Sequence, residues 1–89
     1  MDDRKERRTK MKTTHIDDPT IAAAIVTLNT HLQAIPFKTG NGRVAFEIDT
    51  DDLSEEYQRL YSGEAAPLRD YIRNLKELRA SIFSLKNSR

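Results

Sequence analysis

The stretch that decides the fold is Gly40-Asn41-Gly42-Arg43-Val44-Ala45-Phe46-Glu47-Ile48-Asp49. Val44, Phe46 and Ile48 fall on one side of an extended chain and Arg43, Ala45, Glu47 and Asp49 on the other, the period-two pattern of a half-buried strand. Asn41-Gly42 is among the strongest short hairpin signals, because both residues accept positive φ. The acids that close the stretch belong to a helix start. It fixes an architecture and names no chemistry.

Upstream, residues 32–38 read as the partner strand, paired through Thr39-Gly40-Asn41-Gly42. Pro36 has no amide hydrogen to give to a ladder, so this strand is expected at a sheet edge, or with a bulge at Pro36. Thr13-Thr14-His15-Ile16 has the makings of a short extra strand. Asp17-Asp18-Pro19 then supplies a helix start, with Asp18 at the N-cap and Pro19 in the first helical position. That helix is expected to run over residues 19–28, burying Ile21, Ala24, Ile25 and Leu28, with Asn29 as a left-handed cap.

Downstream, Thr50, Asp51 and Asp52 open a second helix, with Asp52 and Glu55 at capping-box spacing and Leu53, Tyr57 and Leu60 as its apolar stripe. Gly63 stops it, and Pro67 restarts the chain in the first turn of a third. Leu68, Tyr71, Leu75, Leu78, Ile82 and Leu85 are spaced 3, 4, 3, 4, 3 along that last helix, with Ile72 widening the stripe. Over so short a length this reads as one face of a helix lying on a sheet rather than as a coiled coil. The expected fold class is α+β: a small antiparallel sheet built on the hairpin and packed against three helices.

Composition narrows the function. The 89 residues suffice for one domain, and cysteine is absent, which removes disulfides, thiolate metal sites and cysteine nucleophiles. A domain this small balances apolar burial against conformational entropy near zero, so homodimerisation through leftover apolar helix surface is an expected route to stability, with a monomer as the alternative. The longest apolar run, residues 21–26, is far short of a membrane span, and the N-terminus lacks the apolar core of a signal peptide. No membrane partner and a cytoplasmic location are expected.

The net charge of +1 hides an asymmetry. Residues 1–12 carry Arg4, Lys5, Arg7, Arg8, Lys10 and Lys12 against three acids, whereas residues 13–89 hold nine bases against eleven acids. With almost no apolar side chains, residues 1–12 are expected to form a flexible basic arm ahead of the folded domain. Six bases suit salt-sensitive, sequence-independent contact with the phosphates of DNA or RNA, although no aromatic residues are interleaved for base stacking.

Other candidate chemistry is thin. Asp49, Asp51, Asp52, Glu55 and Glu56 invite a calcium reading, but counting from Asp49 puts Ser54 where the loop needs glycine and Leu60 where it needs glutamate. The Gly40-Asn41-Gly42-Arg43 segment lacks the Lys-Ser or Lys-Thr of a phosphate loop and leads into a strand, not a helix. His15 and His31 have no nucleophile in a recognisable setting. No catalytic, metal or cofactor residues are assigned. Contact positions are instead Asn41, Arg43 and Glu47 on the polar side of the hairpin, and Tyr61, Tyr71, Ile72 and Phe83 if their helix faces prove exposed.

Four segments resemble a family of short bacterial and phage-associated proteins that carry a domain of unknown function. They are Ile21-Ala22-Ala23-Ala24-Ile25, Gly42-Arg43-Val44-Ala45-Phe46-Glu47-Ile48, Tyr61-Ser62-Gly63-Glu64 and Leu75-Lys76-Glu77-Leu78-Arg79-Ala80-Ser81-Ile82-Phe83, spanning about residues 15–85. The resemblance implies a similar fold and a mobile-element origin, and it supplies no site residues. It points to a non-enzymatic interaction protein that occupies a surface of a host protein, as a counter-defence inhibitor for example. The alternative is a small DNA- or RNA-binding accessory factor that uses the basic arm.

Overall fold

The computed structural model describes residues 13–87. The chain folds as β1 (Thr14–Ile16), α1 (Pro19–Leu28), β2 (Ala34–Lys38), β3 (Val44–Ile48), α2 (Ser54–Tyr61) and α3 (Leu68–Lys86). The strands form one antiparallel sheet in the order β1-β3-β2, so the decisive stretch becomes the central strand. This is the expected α+β class, with the extra strand present. α1 and α3 contact the sheet directly, and α2 joins the body by packing on α1.

Pro36 sets the register of the hairpin. The Thr39 amide donates to the Arg43 carbonyl at 2.7 Å, and the Gly42 amide to the Thr39 carbonyl at 3.1 Å, which leaves Gly40, Asn41 and Gly42 as a three-residue loop. Pro36 therefore stands opposite Phe46. Hydrogen-bonded and non-bonded pairs alternate along an antiparallel ladder, so counting from the bonded Thr39–Arg43 pair places Pro36 at a non-bonded position, where no amide hydrogen is missed. A two-residue Asn41-Gly42 loop would shift the pairing by one and set Pro36 where it must donate to Glu47. Of the two residues that accept positive φ, only Gly42 adopts it, at 84°, and among the described residues no non-glycine residue does.

The register also decides what the sheet buries. Ile16, Phe46 and Ile48 turn inward and join Ala22, Ala23, Ile25, Leu53 and Leu78 in the core, with Phe46, Ile25 and Ile48 its largest fully buried side chains. Each contributes about 1.5–3 kcal/mol of burial. On the other face, His15 and Ile35 flank Glu47, and the Phe37 ring lies 4.8 Å from that of His15. Ala45, which shares this outer face, is only 4% exposed. β2 therefore spends its apolar residues Ile35 and Phe37 on the outside, and it is an edge strand as Pro36 required.

Several boundaries and caps differ from the sequence reading. β2 begins at Ala34 rather than at residue 32, and β3 covers residues 44–48 rather than 43–49. Asp18 caps α1 as expected, accepting from the Thr20 amide at 2.9 Å, but Asn29 at its other end is extended, with φ −129°, and not left-handed. Its side chain acts instead: Nδ2 donates to Glu56 at 2.8 Å and Oδ1 accepts from the His31 amide at 3.0 Å. Glu56, one of the acids that invited the calcium reading, is buried and ties α2 to the end of α1. The buried set of α1 is Ala22, Ala23, Ile25 and Thr27, wider than one stripe because α2, α3 and the sheet surround it.

The capping box at α2 is also replaced. Asp52 accepts from the amide and hydroxyl of Ser54, while its own amide donates to Thr50 Oγ1 at 3.3 Å, not to Glu55. Gly63, at φ 81°, ends α2 with Glu64 N–H donating to Arg59 C=O and Gly63 N–H to Leu60 C=O, the paired bonds of a Schellman motif. The Arg59 guanidinium grips Glu64 across this corner at 2.6 and 2.9 Å. Pro67 precedes the first helical residue of α3 rather than occupying it.

The loop geometry separates the two nearby glycines. Neither Gly40 nor Gly42 has a neighbour within 4 Å of an added Cβ, so backbone conformation alone decides their substitution. Gly42→Ala should lower stability by about 1–2 kcal/mol, whereas Gly40→Ala should be neutral or slightly stabilising. Urea unfolding of the two variants measures the difference, and equal costs would contradict the three-residue loop.

Candidate protein-binding surface on the last helix

The rotation of α3 about its axis is fixed from within. Leu78 is buried, and Tyr71, Leu75 and Ile82 pack partly buried against the core, as their spacing required. One polar clamp adds to this: Thr27 Oγ1 donates to the Ala23 carbonyl at 2.6 Å and accepts from Asn74 Nδ2 at 2.9 Å, joining α1 to α3. A buried hydroxyl with both bonds made tolerates no turn of the helix without losing one of them.

What remains outside is an uneven mixture. Leu68, Ile72 and Phe83 are 72%, 48% and 71% exposed. At about 100° per residue they share a sector of about 100° with Arg69, Lys76, Arg79 and Lys86. All four bases are exposed and none of them has an ion-pair partner among the described residues. The two acids of α3 lie elsewhere, with Asp70 bonded to Arg73 at 3.3 Å and both Asp70 and Glu77 facing the cleft beside β2. The ridge is therefore apolar and cationic with no carboxylate in it.

Charge is segregated across the whole fold. Residues 13–67 hold nine acids and three bases, and residues 68–86 hold five bases and two acids. An apolar cleft of about 350 Å³ adjoins the start of the ridge, bounded by Ile21, Ala24 and Leu28 of α1, Leu60 of α2, and Leu68 and Tyr71 of α3. Leu68, read as part of the buried seam, is instead the exposed lip between cleft and ridge. The pattern was present in the sequence as bases at 69, 76, 79 and 86 on one side of the helical projection, a signal that counting net charge conceals.

The other contact positions are scattered. Tyr61 is 73% exposed but sits on α2, stacked on Tyr57 with ring centroids 6.1 Å apart, so Tyr61, Tyr71, Ile72 and Phe83 do not lie on one helix face. Tyr71 packs partly buried against the core and lines the cleft. Asn41 serves the turn, its Oδ1 accepting from the Thr39 hydroxyl at 2.5 Å and the Arg43 amide at 3.4 Å. Arg43 and Asp17 both border a hollow of about 370 Å³ at the hairpin tip. Glu47 stands on the outer sheet face between His15 and Ile35.

Arg4, Lys5, Arg7, Arg8, Lys10 and Lys12 lie outside the described residues. Among the described residues, no group of three or more histidine, aspartate or glutamate side chains converges to hold a metal, and no helix is long and apolar enough to cross a membrane. Compared with protein-family models, curated proteins and solved structures, the chain has no match.

Three carboxylates are held below their ordinary titration range by hydrogen bonds. Asp18 is lowered chiefly by the Thr20 hydroxyl and amide, with a smaller push from the Arg79 charge; Asp52 is lowered by Ser54, and Glu64 by Arg59. A depressed carboxylate contributes stability that is present above its unfolded pKa and lost as pH falls through the folded one. The stability these three carboxylates supply should therefore be complete above about pH 5 and be lost as pH falls below about 4. Asp18→Asn keeps a capping side chain but removes one titration, so its stability should lie below wild type at neutral pH and converge with it in acid, as measured by thermal melts across pH.

Proposed function

We propose that the protein is a small non-enzymatic interaction protein that docks on a host protein through the exposed ridge of α3 and the cleft beside Leu68. The observation that carries this reading is the pairing of three exposed large apolar side chains with a helix whose orientation is locked from inside. Ordering such a surface in advance lowers the entropic cost of association, and an apolar cleft offers a pocket for an anchoring side chain. The resemblance to phage-associated proteins supplies the partner class, a host protein, and with it a counter-defence role and a cytoplasmic site of action.

Acid-base or nucleophilic catalysis needs groups held together in a cleft. The cleft at Leu68 is mostly apolar, with the Thr20 and Thr27 hydroxyls bonded to Asp18 and the Ala23 carbonyl and its one carboxylate, Glu64, bonded to Arg59. Ile72 and Phe83 are exposed, so replacing both with aspartate should change stability by no more than about 1 kcal/mol. The same double variant should lose the partner that wild type retains in affinity capture from the native host, read by mass spectrometry. Retention of the same partner at wild-type stoichiometry by the folded variant would overturn the reading.

A further inference from the structure

We infer that the occupant of the α3 ridge is an acidic amphipathic helix of the partner, lying along α3 with an apolar side chain in the cleft at Leu68. This rests on the docking reading above and adds the chemistry of the other side. Leu68, Ile72, Lys76, Arg79 and Phe83 follow steps of 4, 4, 3 and 4 along an unbroken helix, a straight ridge of about 22 Å. Ridges of this spacing fit the grooves of a second helix.

The charge pattern selects the sign. Every ionisable side chain that α3 places in the ridge sector is a base. Arg79 feels the charge of Asp18 at the start of α1, but Arg69, Lys76 and Lys86 have no ion-pair partner among the described residues. Covering the ridge therefore calls for carboxylates from the partner, and a desolvated base without one costs free energy. A second copy of this chain paired ridge to ridge would set these bases against themselves. Nucleic acid would neutralise the bases but leave Leu68 and Ile72 without stacking partners, since Phe83 is the one aromatic residue of the ridge. A bilayer surface asks for a continuous apolar face, and here Lys76 and Arg79 interrupt it between Ile72 and Phe83. An acidic helix with its own apolar stripe meets both halves of the pattern.

The test uses the full chain and a designed peptide of about five helical turns, with leucines along one stripe and glutamates flanking it. Two companion peptides have lysine in place of glutamate, or prolines that prevent the helix. Amide resonances followed during titration should shift saturably in residues 68–86 and around the cleft with the glutamate peptide alone, and the affinity should weaken as salt is raised. Lys76→Glu/Arg79→Glu should bind that peptide at least about tenfold more weakly and gain binding to the lysine peptide.

Equal binding of the proline peptide, shifts confined to other elements, or displacement of the glutamate peptide by a lower concentration of duplex DNA or of phosphatidylserine vesicles would each overturn the inference. If Ile72→Asp/Phe83→Asp abolishes partner capture from the host while Lys76→Glu/Arg79→Glu leaves it intact, the acidic helix is wrong and the docking ridge stands.

Discussion

The missing amide hydrogen of Pro36 constrains more of this structure than any contact that is made. It forbids the register in which Pro36 would have to donate to β3, and with it the two-residue loop that Asn41-Gly42 would otherwise favour. The permitted register puts Pro36 across from Phe46 and turns Ile35 and Phe37 to the outer face. Because β3 is central, its inward residues Phe46 and Ile48 then define the surface on which α1 and α3 settle. The side of β2 that lies beside α3, with Pro36 next to Ala80 and Ser84, follows from a proline in an edge strand.

α3 divides its work between two sides. Its inner side is held by apolar packing at Leu78 and by the Asn74–Thr27–Ala23 chain of hydrogen bonds, which makes rotation costly. Its outer side carries cations and apolar groups together, an arrangement that water solvates poorly at Leu68, Ile72 and Phe83. The strongly acidic remainder of the described fold turns this helix into the positive pole of the domain. An acidic partner would be steered to the helix before the apolar contacts form.

Much of the fold was legible because it rested on local signals. Alternation in residues 44–48, the Asp18-Pro19 helix start, the stop at Gly63 and the spacing of Tyr71, Leu75, Leu78 and Ile82 each report a short-range preference that tertiary packing left intact. The misreadings share a different cause. Asn29 has the composition of a left-handed cap, but its side chain bonds to Glu56, 27 residues away, a partner that local sequence does not reveal. The turn was legible as Thr39 to Gly42, but its exact closure depends on Pro36 five residues before Asn41, a constraint that the turn residues themselves do not carry. The candidate surface is half visible in the sequence: Ile72 and Phe83 stand out as apolar residues, but the spacing of Leu68 points inward, and the net charge conceals that Lys76 and Arg79 share their side of the helix.

Lysine footprinting of the host complex tests the docking ridge most directly, because the chain carries lysines on the ridge, at the end of β2 and in the first twelve residues. The acylation rates of free and bound protein should differ at Lys76 and Lys86, while Lys38, Lys5, Lys10 and Lys12 react alike in both states. Protection of Lys5, Lys10 and Lys12 with Lys76 unchanged would contradict the account and move the contact to the N-terminal bases.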